Sequence, residues 1–303
     1  FKEEADRAQK KAPDDKRAEV GALRERMLDA VKLIKTSKLG ETSGRAALYE
    51  LPWYIVIGNP AAGKSSAVVN SGLQFPYSDK SGNVIQGIGG TRNCDWFFTS
   101  EGILLDTAGR YSVHEEDRGE WLGFLSLLKR QRSKAPINGI ILAASIGELT
   151  QNRPEYAIEL AKQLRQRVHE VTEHLEVIAP VYLVFTKADL ISGFVEFFED
   201  ADVNERASVW GASLPYDGAD KGDALARFDE HFEHLYEGLK EMSVARMAQN
   251  RGQAMAPGLL TFPLEFASVK PALRAFVATL FEDNPFQFKP IFRGFYFTSA
   301  LQH

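Results

Sequence analysis

A short stretch in the first quarter of the chain begins with a glycine and ends with glycine, lysine and serine. Its residues are Gly58, Asn59, Pro60, Ala61, Ala62, Gly63, Lys64 and Ser65, followed by Ser66. The stretch lies between an apolar run at residues 53–57 and a helix-compatible segment. Glycines let such a loop bend so that its N–H groups point at phosphate oxygens, while the lysine supplies charge and the serine hydroxyl binds Mg²⁺. We therefore predict a phosphate-binding loop at residues 58–66.

A second pattern could complete the phosphate site. The apolar run 103–105 ends in Asp106, and Gly109 lies three positions further. By itself an aspartate at a strand end is usually a turn or cap residue. Together with the loop at Gly58, however, it favours a metal role for Asp106, through water, and a γ-phosphate contact from the Gly109 N–H.

A polar, glycine-rich interval at residues 86–92 separates these two motifs. It contains Thr91, whose hydroxyl we expect to complete the Mg²⁺ shell when a γ-phosphate is present. The alternative is that this interval is a flexible segment that leads into a hairpin and makes no contact with a ligand.

A third motif concerns the base of a nucleotide. The apolar run 181–185 ends in Thr186 and Lys187, and Asp189 follows after one residue. A carboxylate accepts hydrogen bonds from the N1–H and amino group of guanine, whereas adenine offers a mismatched edge. We expect Lys187 to lie along the base. The motif favours GTP and GDP, and the shape of the pocket leaves ATP and ADP as the alternative.

A contact with guanine O6 is predicted from the backbone of Ala267 and Ser268. These residues follow an apolar run at 259–266 that has the composition of a strand. Short Ala-Ser turns are common, so an incidental turn is the alternative.

The motifs occur in the order found in GTPases, and the chain resembles the Ras-like G-domain class. Members of that class place a water-orienting glutamine just after the Asp-x-x-Gly element, but here Arg110 follows Gly109. An arginine cannot accept a hydrogen bond from water. We expect Arg110 to stabilise transition-state charge or to contact phosphate, with Lys64 and Thr91 as the other catalytic residues, and hydrolysis to be slow.

A narrower resemblance emerges from residues 51–58, 106–111 and 293–299, the last reading Arg-Gly-Phe-Tyr-Phe-Thr-Ser. Together they are similar to the IcmF/TssM family, the large inner-membrane component of bacterial type VI secretion systems. The resemblance implies an NTPase-like domain on the cytoplasmic face of the inner membrane, with other inner-membrane and cytoplasmic components of the complex as partners. Some members of the family lack the phosphate loop.

The alternation of apolar runs and amphipathic segments predicts an α/β fold. We expect a P-loop GTPase-like, mostly parallel sheet covered by helices on both faces. The predicted strands lie near residues 53–57, 95–99, 103–105, 139–144, 181–185 and 259–266, and the predicted helices near 64–71, 120–130, 154–174 and 269–281. A turn of hairpin length at 100–102 predicts one antiparallel pair.

Two regions exceed a minimal G-domain. Residues 1–46 form a predicted N-terminal helical extension, which either packs on its own domain or serves as a partner-facing or membrane-proximal arm. The remaining domain, 47–303, carries a predicted helical insertion at about 192–253, whose aromatic residues favour a local core over a binding stripe.

Composition limits the partners of the chain. Its 303 residues carry a formal net charge of −5, so nucleic acid is not an expected partner. The single Cys94 is expected to be a small buried hydrophobe, and the histidines show no metal-ligand spacing. No apolar run is long enough to cross a membrane, so membrane attachment is expected through segments outside this sequence.

Two functions remain open at this point. One is a Mg²⁺-dependent switch that binds GTP or ATP and hydrolyses it slowly. The other is a structural scaffold that binds nucleotide without important hydrolysis, which the missing glutamine after Gly109 favours.

Overall fold

The structure is a computed structural model that describes residues 14–36, 46–75, 87–88, 94–215, 223–249 and 256–299. Its strands are β1 Trp53–Ile57, β2 Gly87–Ile88, β3 Cys94–Phe98, β4 Ile103–Thr107, β5 Gly139–Ser145, β6 Pro180–Thr186, β7 Gly211–Ser213 and β8 Ile291–Phe297. Its α-helices are α1 Asp14–Thr36, α2 Ala47–Glu50, α3 Lys64–Val69, α4 Arg110–Val113, α5 Arg118–Gln131, α6 Ile146–Gln151, α7 Glu155–Leu175, α8 Phe194–Phe198, α9 Val203–Ala207, α10 Ala224–Gln249 and α11 Gly258–Leu280. Thr91 lies outside the described residues.

The fold is mixed α/β, with helices and a mostly parallel sheet, as the alternation of segments predicted. The chain divides into two compact units. The first comprises residues 1–141 and 166–180, and the second residues 142–165 and 181–303.

The first unit contains strands in the order β2-β3-β4-β1. β1 pairs with β4 in parallel, and β3 pairs with β4 in the antiparallel sense that the short turn at 100–102 predicted. Bulky side chains of these strands and of α5 are fully buried, namely Trp53, Trp96, Phe98, Trp121 and Phe124. This core holds the carboxyl ends of β1 and β4 at the same edge of the sheet, because parallel strands end on the same side.

The helix α1 packs on its own unit. Met27, Val31 and Ile34 are buried along one face at three- and four-residue spacing, and the helix contacts α5. Of the two interpretations for the N-terminal extension, the structure supports packing within the domain for this face.

A buried arginine fastens the segment before β1 to the end of α5. Arg132 is 1% exposed and donates from Nε to the Leu48 carbonyl at 2.8 Å and from Nη1 to Asn138 Oδ1 at 2.9 Å. Its guanidinium carbon lies 5.1 Å from the Tyr49 ring and 5.0 Å from the Trp53 ring. Burial lowers the pKa of Arg132 to about 10, so the side chain is charged at neutral pH.

The second unit contains residues 142–145 of β5, residues 181–186 of β6, and all of β8 and β7, in the order β5-β6-β8-β7. β7 pairs with β8 in the antiparallel sense. The predicted insertion contains α8, α9, β7 and α10, and α10 packs along α11. Aromatic rings from the insertion meet rings of α11 and β8, with Phe232 stacked on Phe266 at 4.6 Å and Trp210 4.8 Å from Phe297. The aromatic residues of the insertion therefore form a local core, as predicted.

The predicted strand at 259–266 is wrong, because these residues form the first part of α11. The buried residues of this helix include Leu259, Phe262, Phe266, Val269 and Leu273. That three- and four-residue spacing is the period of a helix face. The run is almost continuously apolar and contains Pro263, so its helical period was hidden and it resembled a short buried strand. The strand expected at this place in the fold is β8, some 25 residues later.

Among the described residues, no helix combines the length and apolarity needed to cross a bilayer.

Replacing Arg132 with methionine tests the role of this side chain. The substitution leaves the buried carbonyl of Leu48 without its donor, and we expect the free energy of unfolding to fall by about 3 kcal/mol. Urea denaturation measures the change. The exposed Arg130, two residues earlier in the last turn of α5, provides the control, since Arg130→Met should change stability by less than about 0.5 kcal/mol. Equal effects of the two substitutions would contradict this role.

Candidate functional site

The predicted phosphate loop leaves the carboxyl end of β1 and turns back over the start of α3. Ala61 and Gly63 adopt left-handed backbone angles, with φ values of 61° and 77°. A turn is closed by the Ala62 N–H, which donates to the Asn59 carbonyl at 3.2 Å. The loop therefore has the bent backbone that the glycine pattern predicted.

Lys64 folds back across its own loop. Its side chain is almost fully buried, with 8% exposure, and Nζ donates to the carbonyls of Gly58 at 2.9 Å and Asn59 at 3.1 Å. Loop carbonyls thus hold the ammonium group at the centre of the loop, where it compensates negative charge nearby.

The two predicted phosphate motifs meet through a hydrogen bond between side chains. Ser65 Oγ donates to Asp106 Oδ2. Asp106 is 5% exposed, and its other oxygen, Oδ1, is buried with no hydrogen-bond partner in the described part of the chain. The parallel register that pairs Val56 of β1 with Asp106 of β4 makes this meeting possible.

Gly109 is the second point of contact between the motifs. A Cβ atom at this position would lie 2.4 Å from the Pro60 nitrogen and 2.6 Å from its Cα. No side chain fits there unless the phosphate loop moves. Gly109 is therefore required by the close approach of two backbones, in addition to its predicted phosphate contact.

These residues line a cavity of about 70 Å³. Its walls include Lys64, Ser65, Asp106 and Gly109 from the predicted site, and also Cys94 and Asp95 of β3. Cys94 is buried, as expected for a single cysteine. Sequence reasoning did not assign Asp95, although the predicted hairpin turn at 100–102 places it across the hairpin from Asp106.

Burial dominates the electrostatics of Asp106. It raises the pKa of this carboxyl group, while the Ser65 hydrogen bond and the charge of Lys64 lower it and the charge of Asp95 raises it further. A positive ion close to Asp106 would therefore stabilise the ionised form.

The oxygen donors present at this place fit Mg²⁺. This cation prefers carboxylate and hydroxyl oxygens, and it commonly uses one or two carboxylates and completes its shell with water and phosphate. The unpartnered Oδ1 of Asp106 and the Ser65 hydroxyl match that preference. Among the described residues, no three His, Cys, Asp or Glu side chains gather into a metal-binding group.

The structure does not bring Arg110 into this cavity. Its guanidinium forms ion pairs with Asp117 at 2.8 Å and with Glu120 at 2.6 Å, and it lies 4.9 Å from the Tyr111 ring. Burial lowers the pKa of Arg110, but the hydrogen bond and negative charge of Glu120 outweigh it and raise the pKa overall. The side chain predicted to act on phosphate is therefore held by acidic partners on α5 and the turn before it.

The predicted base-recognition residues lie in the second unit, at the end of β6. Thr186 is buried, and Lys187 adopts a left-handed φ of 57° that starts a short 3-10 helix containing Asp189. The N–H of Ala188 donates to the Thr298 carbonyl at 3.1 Å. The turn after β6 is thereby fixed to the end of β8.

Ser299 contacts a predicted site residue, and the sequence reasoning did not name it. Its Oγ donates to Asp189 Oδ1 at 2.5 Å. Thr298 and Ser299 end the segment 293–299 and directly follow β8. This position after a strand was the available signal, but the strand was predicted at 259–266 instead.

The contact predicted for Ala267 and Ser268 requires correction. Both residues lie inside α11, where N–H groups donate along the helix to carbonyls four residues earlier. The Ser268 hydroxyl donates to the Glu265 carbonyl at 2.6 Å, which is a local helix contact. The residues that follow a strand beside Asp189 are Thr298 and Ser299.

Comparison with known proteins places the chain among secretion components. The family model described as the IcmF-related N-terminal domain matches residues 114–303. The type VI secretion system component TssM1 of Pseudomonas aeruginosa is 42% identical over 290 residues, which cover 94% of this chain and 26% of that protein. The chain thus spans about a quarter of the length of this curated relative.

Solved structures give weaker similarities. The signal recognition particle receptor complex SRb-GTP/SRX from Chaetomium thermophilum is 18% identical with a TM-score of 0.29, covering 46% of this chain and 71% of that one. A GTP-binding protein from Sulfolobus solfataricus in complex with GDP is 14% identical with a TM-score of 0.27, covering 59% of this chain and 52% of that one. At these TM-scores neither similarity bears on function.

Replacing Gly109 with alanine tests the contact between the motifs. The added methyl group must displace the loop at Asn59 and Pro60, and we expect a loss of about 1–3 kcal/mol in unfolding free energy. Urea denaturation measures the loss, and hydrogen exchange should show faster exchange at the loop amides. Gly119 in α5 is the matched control, because a Cβ there meets nothing within 4 Å and Gly119→Ala should be neutral or stabilising. Unchanged stability and exchange in Gly109→Ala would refute the contact.

Proposed function

The chain belongs to the IcmF/TssM family of type VI secretion system components, and from this premise we propose that it is a Mg²⁺-dependent GTP-binding and slowly hydrolysing domain. Its nucleotide state would act as a switch on the contacts of a membrane complex. The observation that carries the proposal is the convergence of Lys64, Ser65, Asp106 and Gly109 on one cavity.

The phosphate groups are assigned to the first unit. Backbone N–H groups of residues 58–66 and the Lys64 ammonium would hold the β- and γ-phosphates, and the Gly109 N–H would meet the γ-phosphate. Support comes from the bent loop backbone and from the Lys64 position within it. An ammonium already inside the loop needs little rearrangement to bind an anion there.

The cation is assigned to Ser65 and Asp106, with Thr91 as the further ligand proposed from the sequence. When bound, Mg²⁺ would neutralise charge on the β- and γ-phosphate oxygens. The role of the protein is to orient two oxygen donors toward one point, and the hydrogen bond between Ser65 and Asp106 supports this pairing.

Selection of the base is assigned to Thr186, Lys187 and Asp189 in the second unit. Ser299 holds one carboxylate oxygen of Asp189 and restricts its rotation. An oriented carboxylate can accept from both guanine donors. GTP is therefore the proposed nucleotide, with ATP as the alternative.

Slow turnover follows from the environment of Arg110. No glutamine follows Gly109 to orient water, and Arg110 is engaged by Asp117 and Glu120. Transition-state stabilisation by Arg110 would require release from both partners.

The same observation supports a second candidate function. A scaffold that binds nucleotide without important hydrolysis has no need for a mobile arginine, and the ion pairs of Arg110 agree with that. Bound nucleotide at 100 to 1,000 times its dissociation constant would stabilise such a domain by roughly 3–4 kcal/mol.

The family places the proposed switch within a secretion complex. We propose that the domain acts on the cytoplasmic face of the inner membrane, attached through segments outside this sequence. Its partners would be other inner-membrane and cytoplasmic components of the complex, and not nucleic acid, since the net charge is −5.

Replacing Lys64 with alanine tests phosphate binding. The loss of charge-assisted hydrogen bonds should weaken binding of a non-hydrolysable GTP analogue by about 100-fold or more, as measured by isothermal titration calorimetry with Mg²⁺. The exposed Lys134 is the control, and Lys134→Ala should bind as the wild type does. Undiminished affinity in the folded Lys64→Ala protein would reject the site. Absence of nucleotide binding to the wild type would contradict both proposed functions.

Replacing Asp189 with asparagine tests selection of the base. The amide cannot accept from both guanine donors, so the ratio of GTP to ATP affinity should fall by about tenfold or more. Titration with both nucleotides gives the ratio. The exposed Asp200 supplies a control with the same chemical change. A ratio that stays constant in Asp189→Asn would show that residues 186–189 are only a strand-ending turn.

A further inference from the structure

The hairpin of β3 and β4 places a second carboxylate beside Asp106. Antiparallel register sets Asp95 directly opposite Asp106, and residues directly opposite each other project from the same face of a sheet. Both side chains line the cavity that also contains Lys64 and Ser65. Like charges in this arrangement repel each other, so the pair is not explained by stability of the sheet.

Asp106, which lines this cavity, has one carboxylate oxygen without a hydrogen-bond partner. The residue is 95% buried, since its exposure is 5%, and Oδ1 has no hydrogen-bond partner within the described residues. The other oxygen is occupied by the Ser65 hydroxyl. A buried carboxylate oxygen without a donor is costly unless a ligand supplies positive charge.

Among the described residues that line this cavity, carboxylates outnumber cationic side chains. Lys64 is the one cationic side chain among the residues that line this cavity, and its Nζ donates to the carbonyls of Gly58 and Asn59. Two ionised carboxylates and one ammonium leave a net charge of −1. A hard divalent cation bound by oxygen ligands would reverse that sign before any phosphate arrives.

We propose that Asp95 is a second carboxylate of the divalent-cation site, and that Asp95, Asp106 and Ser65 hold Mg²⁺ in the absence of nucleotide. The inference deepens the proposed function, on which it rests for its biological meaning. A cation bound in advance would offset the two carboxylates and strengthen the attraction of this cavity for phosphate.

The alternative is that the two carboxylates share a proton, as closely spaced acids can. The two cases differ in their response to cations. A proton-sharing pair gains little from Mg²⁺, whereas a cation site is stabilised by it and loses affinity when either carboxylate becomes an amide.

Mn²⁺ titration of the nucleotide-free protein, followed by electron paramagnetic resonance, tests the proposal. Wild type should bind one Mn²⁺, and Asp95→Asn should weaken that binding by about tenfold. Glu101→Gln is the matched control, because Glu101 is exposed in the same hairpin and loses the same charge. Its affinity should equal that of wild type. Equal affinity in Asp95→Asn, or no binding to wild type, would overturn the proposal.

Urea denaturation provides a second measurement on the same proteins. In EDTA, Asp95→Asn should unfold at the same or a higher urea concentration than wild type, because a repulsion is removed. Added Mg²⁺ should raise the midpoint of wild type more than that of the variant. A variant that is unfolded in EDTA, or equal shifts with Mg²⁺, would count against the cation site. Because nucleotide is absent throughout, a failure of GTP binding and a failure of this proposal remain distinguishable.

Discussion

Parallel pairing of β1 with β4 is the constraint on which the phosphate site depends. The register that aligns Val56 with Asp106 delivers both strand ends to one edge of the sheet, so the loop after β1 and the turn after β4 must meet there. At the meeting point Gly109 lies so close to Pro60 that a Cβ would be 2.4 Å from its nitrogen. The conformations of the predicted phosphate loop and of the second motif therefore depend on each other.

The charges at this edge are held by short-range partners instead of by solvent. Loop carbonyls hold Lys64, and Ser65 donates to Asp106, so the side chains proposed to bind phosphate and cation are oriented without a ligand. Arg110, in contrast, forms ion pairs with Asp117 and the buried Glu120 and does not line the cavity. Glu120 also accepts from the Tyr111 hydroxyl at 3.3 Å, so it keeps a hydrogen bond when Arg110 leaves. Any catalytic use of Arg110 requires both of its ion pairs to break.

In the second unit, contacts from the residues after β8 fix the turn that carries Asp189. A turn after β6 must present Asp189 at a fixed angle, and it does so through β8, whose following residues Thr298 and Ser299 bond to Ala188 and Asp189. The rings around Phe266 and Phe297 anchor β8 and α11 in the same core. The inserted helix α10 contributes Phe232 to this core, so the insertion supports the turn and is not an independent module.

Local sequence determined the family, the phosphate loop, the aspartate motif and most elements of the fold. Those features depend on nearest neighbours, such as glycines around Lys64 and apolar runs that end in Asp106 and Asp189. Tertiary structure alone decided three others. It made residues 259–266 a helix, because burial against α10 follows a helical period. It paired Ser299 with Asp189 across 110 positions, and it set Asp95 opposite Asp106 through strand register. Contacts between distant positions depend on pairing and packing, which no local pattern encodes.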